Sequence, residues 1–201
     1  MTFEKLMEKL SDAKIFAEEN FVPIIRDKSA KFLYDFVEKN NFKNILEIGT
    51  AIGYSGSIML SACNSKLTTV DKNEKLIDYA NNVFSELGYS ERVRVYCNDA
   101  KNLIESLSQD GEKFDMIFLD GAKGQYINYL PVLTSLLNAG GVILADNVLL
   151  QGMVESTEKI PHRKRTMVVN LRKYLEVVSK HPYETELLHL EDGLAITRLK
   201  G

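Results

Sequence analysis

The order of apolar and polar residues predicts helices at the start of the chain and then strands that alternate with helices. Apolar residues recur every three or four positions over 2–20 and 27–40, which predicts one helix or a broken pair, then a second helix. Pro23 lies between these ranges and disfavours helix at the residue before it. The predicted strands are 45–48, 67–70, 93–97, 114–119, 142–145, 183–190 and 194–199. The later predicted helices are 54–62, 73–87, one that follows Asp99 and runs to about 107, 123–138 and 163–180.

This alternation is typical of an α/β protein with a mainly parallel sheet and right-handed crossovers. The step Asp192-Gly193 separates the last two predicted strands and is a strong hairpin signal, so we expect them to add an antiparallel edge. With 201 residues, 45% of them hydrophobic, the chain can bury one substantial core. We therefore expect one domain, with N-terminal helices over 1–40 and a Rossmann-like core over 41–201.

Charge and cysteine content narrow the possible environment and partners. The formal net charge of −3 gives no global positive field that would attract nucleic acid or an anionic membrane. Cys63 and Cys97 form neither a disulfide framework nor a metal-binding spacing. The N-terminus lacks the pattern of a signal peptide, and no apolar run approaches the roughly 20 residues that span a bilayer. We expect a cytoplasmic protein with no membrane partner.

A glycine turn between a strand and a helix is the first candidate binding feature. Gly49 and Gly53 follow the apolar run at 45–48 and precede the helical segment that begins at Tyr54. Backbone N–H groups converge at such a turn, as in nucleotide-binding proteins, although bare turns of this kind are often only structural. Asp71 ends the next strand and is placed to accept the ribose hydroxyls of an adenosine, unless it only caps the following helix. Asp99 has the same two interpretations.

Two later strands also end in carboxylates. Asp120 follows strand 114–119, and Asp146-Asn147 follows strand 142–145. Side chains at the carboxyl ends of parallel strands converge on one edge of the sheet. Two carboxylates and an amide carbonyl are hard oxygen ligands of the kind that Mg²⁺ prefers. The alternative is that Asp-Asn at a strand end forms an ordinary turn.

Three segments together resemble the metal-dependent O-methyltransferases of the catechol and caffeoyl-CoA type, which use S-adenosylmethionine. They are Leu-Glu-Ile-Gly-Thr-Ala-Ile-Gly-Tyr-Ser (46–55), Phe-Leu-Asp-Gly-Ala-Lys-Gly-Gln-Tyr (118–126) and Ala-Asp-Asn-Val-Leu (145–149). The resemblance covers almost the whole chain in order. It implies the class I methyltransferase version of the Rossmann-like fold, with a seven-stranded sheet.

The resemblance also implies the roles of particular residues. The implied cofactor-binding residues are Ile24, Glu47, Gly49, Ser55, Asp71, Asp99, Ala100 and Asp120. The implied metal ligands for Mg²⁺, or alternatively Mn²⁺, are Asp120, Asp146 and Asn147. Lys123 would lie beside the substrate oxygen, as a general base or as a cation that stabilises the oxyanion. The family usually forms homodimers, and we expect one here.

Within this family, segments 123–126, 146–152 and 192–196 look most like bacterial enzymes that methylate 5-hydroxyuridine at the tRNA wobble position to 5-methoxyuridine. A tRNA substrate would need a local basic patch, for which the candidates are Arg163, Lys164, Arg165 and Arg172. The structural alternative for this patch is a solvated helix N-terminus.

Two other functions are compatible with the sequence. One is a small-molecule O-methyltransferase that acts on catechols or caffeoyl-CoA-like esters. The other is a non-catalytic module that binds a nucleotide on the same fold. A dehydrogenase is disfavoured because the glycine turn lacks the Gly-x-Gly-x-x-Gly spacing that holds a pyrophosphate.

Overall fold

In the computed structural model, which describes residues 1–200, helices and strands alternate as the hydrophobic pattern predicts. The helices are α1 (Phe3–Lys9), α2 (Ser11–Glu19), α3 (Asp27–Asn40), α4 (Tyr54–Ala62), α5 (Glu74–Glu86), α6 (Ala100–Gln109), α7 (Tyr126–Ser135) and α8 (Arg165–Val178). The strands are β1 (Asn44–Ile48), β2 (Lys66–Asp71), β3 (Val93–Cys97), β4 (Phe114–Leu119), β5 (Leu137–Asp146), β6 (Tyr183–Leu188) and β7 (Leu194–Leu199). Short 3₁₀ turns cover Ser90–Arg92, Lys123–Gln125 and His162–Lys164.

The seven strands form one sheet in the order β3-β2-β1-β4-β5-β7-β6. Strands β1, β2 and β3 pair in parallel, and so do β4 and β5. Strand β7 runs antiparallel to both β5 and β6. The predicted α/β fold, a mainly parallel sheet with a C-terminal antiparallel hairpin, is confirmed.

Internal contacts divide the chain into two compact units, Met1–Leu103 and Ile104–Gly201. In the first unit, α3 packs against α4 and buries the apolar residues that its spacing predicted. In the second unit, β5 pairs with both β4 and β7, and its residues 141–146 are all buried. A single domain over the full length remains a prediction.

Three predicted elements differ clearly from the observed ones, whereas the others agree or shift by one or two residues at an end. Residues 2–20 form two helices, because α1 ends at Lys9 and α2 begins at Ser11. The helix predicted over 123–138 is a 3₁₀ turn followed by α7, which ends at Ser135. Strand β5 starts at Leu137 rather than 142 because Leu137 pairs with Phe114 of β4. Among residues 1–200, no helix has the length and apolar character needed to cross a membrane.

Candidate functional site

The glycine turn after β1 is closely packed in the first unit. Gly49 has φ 110° and Gly53 has φ 77°, a region of backbone conformation that favours glycine. A Cβ atom on Gly53 would lie 3.0 Å from Cζ of Phe84 and 3.1 Å from Cβ of Ala80, both on α5. The turn therefore requires glycine at position 53 for both its conformation and its packing.

Glu47, the next-to-last residue of β1, is a fully buried carboxylate with hydroxyl partners. Ser55 donates a hydrogen bond to its Oε1 at 2.5 Å, and Thr69 of β2 donates to its Oε2 at 2.6 Å. The hydroxyls of Thr69 and Thr50 lie 2.7 Å apart. A buried charge is tolerated when its oxygens are hydrogen-bonded, so this network holds the residues around the glycine turn in place.

Asp71 ends β2 and Asp99 lies two residues after the end of β3, but the two carboxylates have different hydrogen-bond partners. Oδ2 of Asp71 accepts a hydrogen bond at 3.0 Å from the backbone N of Ala51 in the glycine turn. The cap of α5 is instead Asn73, so the helix-cap alternative for Asp71 is wrong. Asp99 accepts from the backbone N of Lys101 in the first turn of α6. Its capping interpretation is therefore supported.

The remaining predicted cofactor residues of the first unit lie at its loops. Ile24 is half-buried in the extended segment between α2 and α3. Ala100 is buried at the start of α6. Asp99 next to it forms an ion pair with Lys72, whose hydrogen bond holds the pKa of that carboxyl below its usual value.

In the second unit, strand register places two acids at equivalent points. Leu119 of β4 pairs with Ala145 of β5, so Asp120 and Asp146 are the next residues on neighbouring parallel strands. The hydroxyl of Tyr126 donates to the backbone oxygen of Leu119 at 2.9 Å and to that of Asp146 at 3.3 Å. Tyr126 is fully buried and ties the two strand ends together.

Asp120 is paired with Lys123. The Nζ atom of Lys123 lies 3.1 Å from Oδ1 of Asp120 and 3.2 Å from its backbone oxygen. The two side chains are 20% and 16% exposed, so water screens this pair only in part. Burial raises the pKa of Asp120, and the charge of Lys123 opposes that rise.

Asp146 is a buried acid with one unused oxygen. Its Oδ1 accepts from the backbone N of Asn147 at 2.6 Å, whereas its Oδ2 is buried without a hydrogen-bond partner. Burial, followed by the negative charge of Asp120, raises the pKa of Asp146 to about 7. An unsatisfied buried carboxylate oxygen is costly, and its presence is typical of a site that binds a ligand or a metal.

The C-terminal hairpin turn holds the backbone that follows Asp146. The backbone N atoms of Val148 and Leu149 donate to the oxygens of Gly193 and Asp192, at 3.1 and 2.8 Å. Gly193 has φ 85°, and a Cβ there would lie 2.8 Å from Cδ1 of Leu149. The glycine therefore serves close packing as well as the turn that the sequence indicated.

Gly193→Ala is expected to lower the free energy of unfolding by about 2–4 kcal/mol, because it adds a steric overlap to an unfavourable φ. Gly111→Ala is the matched control: Gly111 has φ 71° but no atom within 4 Å of the added carbon, and we expect a loss of about 1 kcal/mol. Urea unfolding of both variants measures the difference. Equal losses would show that the contact with Leu149 is unimportant.

The predicted basic patch divides into two parts. Arg163 and Arg165 are exposed, and Lys164 is half-buried with its Nζ atom 3.1 Å from Oε1 of Gln151. Arg172, also exposed, donates to three backbone oxygens of the segment after β5. A role of Arg172 inside its own unit was not predicted, because the sequence alone cannot show its distant partners.

Sequence reasoning also missed two supporting residues, Thr69 and Tyr126. Both lie in predicted apolar elements, and both bond to groups that are distant in sequence. Among residues 1–200, no group of three or more His, Cys, Asp or Glu side chains is arranged to hold a metal ion. The predicted metal ligands include only two acids, with an asparagine as the third donor.

Comparisons with known proteins identify the family of this chain. A family described as O-methyltransferase matches residues 3–200. Caffeoyl-CoA O-methyltransferase 2 of Eucalyptus globulus is 30% identical over 178 residues, covering 84% of this chain and 71% of that protein.

Two solved structures are similar over nearly their full length. A Staphylococcus aureus protein proposed to be a caffeoyl-CoA O-methyltransferase is 35% identical, with a TM-score of 0.85 and coverage of 97% of this chain and 92% of its own. An O-methyltransferase of Bacillus cereus in complex with SAH is 25% identical, with a TM-score of 0.84 and coverage of 100% and 92%. The chain therefore belongs to the O-methyltransferase family and is an S-adenosylmethionine-dependent O-methyltransferase.

Proposed function

We propose that this enzyme methylates one of two vicinal oxygens of a small molecule and uses a divalent cation, Mg²⁺ or Mn²⁺. The observation that carries the proposal is the buried Asp146 carboxylate, whose Oδ2 has no hydrogen-bond partner beside a second acid, Asp120. The relatives named for caffeoyl-CoA support the substrate class, because a caffeoyl group carries two adjacent hydroxyls.

The donor set after β4 and β5 fits such a cation. Asp120, Asp146 and Asn147 would hold it through carboxylate and amide oxygens, which suit Mg²⁺ better than softer metals. A bound divalent cation lowers the pKa of a coordinated hydroxyl and fixes its direction. Asp120 and Asp146 would orient the substrate through that cation, and the backbone bond from Asn147 to Asp146 would keep one carboxylate oxygen in place.

The first unit would hold the cofactor, which supplies the methyl group. Gly49 carries no side chain that would keep a ligand from the backbone of the turn, and the hydrogen-bonded side chains of Glu47 and Ser55 flank the turn in sequence. Asp71 would accept the ribose hydroxyls through lone pairs that its bonds to Ala51 and to its own loop leave free. The other proposed cofactor contacts are Ile24, Asp99, Ala100 and Asp120.

Lys123 would handle the proton of the substrate hydroxyl. Its ion pair with Asp120 places the Nζ atom beside a proposed metal ligand. As a neutral amine, Nζ could accept the proton; as an ammonium, it could stabilise the oxyanion. A Lys123→Ala variant that retained its turnover would exclude both roles.

Methyl transfer from labelled S-adenosylmethionine tests the proposal directly. With Mg²⁺ present, we expect rapid transfer to caffeoyl-CoA or a simple catechol, and little transfer after chelation of the metal. A monohydroxylated analogue is the matched substrate control, because it cannot chelate through two oxygens. Equal rates on both substrates, or rates insensitive to chelator, would contradict the proposal.

Methylation of 5-hydroxyuridine in tRNA is a second candidate, favoured by the exposed cations Arg163 and Arg165 on α8 and the turn before it. The 5-hydroxyl and 4-carbonyl of this base offer the same two adjacent oxygens. The same assay distinguishes the candidates when tRNA that carries 5-hydroxyuridine is included: formation of 5-methoxyuridine with slow catechol turnover would favour tRNA. A homodimer and a cytoplasmic location remain predictions.

A further inference from the structure

The segment that follows β5, residues 147–156, has an unusual backbone. Asn147, Leu150 and Gln151 have φ values of 56°, 45° and 57°, which are uncommon for residues other than glycine. The segment begins at the proposed metal ligand Asn147. Such a conformation persists only when surrounding contacts hold it. The contacts that hold this segment therefore also influence the position of Asn147.

Hydrogen bonds connect the far end of the segment back to Asn147. The backbone N of Val154 donates to the oxygen of Leu149 at 3.2 Å, and that of Met153 donates to Leu150 at 3.1 Å. The N of Leu150 in turn donates to the oxygen of Asn147 at 3.1 Å. A shift at residues 153–156 would therefore reach Asn147 through two successive turns.

One guanidinium from α8 holds that far end. Nε of Arg172 donates to the oxygen of Val154 at 2.8 Å, and its Nη2 donates to the oxygens of Met153 and Ser156 at 3.1 and 2.6 Å. A charged donor to a carbonyl forms a stronger hydrogen bond than a neutral one. The three acceptors lie within four consecutive residues, so the planar group fixes the path of the chain there.

We propose that Arg172 is a positioning residue for the proposed metal ligand Asn147: by holding residues 153–156, it keeps the whole 147–156 segment in its observed conformation. This inference rests on the proposed function, because it takes Asn147 to be a metal ligand. It assigns to Arg172 a task within its own unit, in contrast to the phosphate contact that the sequence suggested. Lysine cannot reproduce it, because a single ammonium lacks the fork that reaches three carbonyls.

Two measurements on Arg172→Ala test the inference without an activity assay. The first is cleavage by glutamyl endopeptidase after Glu155 or Glu158, both exposed, with the products identified by mass spectrometry. We expect faster cleavage in the variant. The second is Mn²⁺ affinity, followed by water proton relaxation, which we expect to weaken about 10- to 100-fold, as for other residues that orient a metal ligand.

Controls separate positioning from general damage to the fold. Lys173→Ala removes the neighbouring exposed cation of α8, and both measurements should match wild type. Arg172→Lys should recover only part of the protection and of the Mn²⁺ affinity. S-adenosylmethionine affinity should remain within about twofold in every variant, which shows that the cofactor-binding unit is intact.

Two results would overturn the inference alone, and a third would overturn the proposed function together with it. Wild-type cleavage of Arg172→Ala would show that Arg172 does not hold the segment. Faster cleavage with unchanged Mn²⁺ affinity would show that the segment does not position Asn147. If wild type itself bound no Mn²⁺, the metal in the proposed function would be wrong, and the positioning role would be lost with it.

Discussion

Replacing Asp146 with alanine is expected to lower kcat/KM on the order of 10³-fold, which corresponds to about 4 kcal/mol of transition-state stabilisation. Asp146 would supply one of two carboxylates to the cation, and its Oδ2 is buried without another partner. Removing it leaves Asp120 and Asn147 as the only proposed protein ligands. The remaining site would bind the cation weakly and could no longer orient two substrate oxygens.

Methyl transfer to a catechol, measured over a range of Mg²⁺ concentrations, gives the size of this effect. S-adenosylmethionine affinity should change little, because Asp146 is not among the residues proposed to bind the cofactor. Asp120 is the one residue proposed to contact both the cofactor and the cation. Asp110→Ala is the control, because it removes an exposed acid just after α6 in the same unit. Near-normal turnover by Asp146→Ala would contradict the proposal that this residue is a metal ligand.

Glu47→Ala is expected to weaken S-adenosylmethionine binding at least about 100-fold and to lower the free energy of unfolding by about 3–5 kcal/mol. The buried carboxylate accepts hydrogen bonds from Ser55 and Thr69, and its removal leaves both hydroxyls without that acceptor. Ser55 lies in the first turn of α4, directly after the glycine turn, so the turn would lose an anchor. A cavity at the buried position 47 adds to the loss of stability.

Calorimetric titration with the cofactor and urea unfolding measure the two effects separately. Glu47→Gln keeps the volume and one acceptor, so it should recover most of the stability but less of the affinity. Glu86→Ala, on the exposed face at the end of α5, should change neither quantity by a measurable amount. If Glu47→Ala bound the cofactor like wild type, the network around Glu47 would be structural only.

Local periodicity determined most of the elements of this fold. Strands 93–97 and 114–119 and helix 27–40 have the predicted bounds, because each is a mostly apolar segment or a helical face that needs no distant information. The start of β5 was wrong for the opposite reason. Residues 137–141 contain two glycines and little alternation, and they join the strand only because Phe114 of β4 offers a partner.

The features of the candidate site also differ in whether local sequence is enough to predict them. Acids at strand ends, the glycine turn and the Asp-Gly hairpin are visible in the sequence, since parallel topology alone brings strand ends to one edge. The sequence does not show three other features: the hydroxyl partners of Glu47, the hydrogen bonds of Tyr126 to two strand ends, and the hydrogen bonds of Arg172 to residues 153–156. Each is a hydrogen bond between residues 7 to 22 positions apart, formed only once the elements that carry them have packed. The sequence therefore determined which groups reach the site, and the tertiary structure decided which residues hold them there.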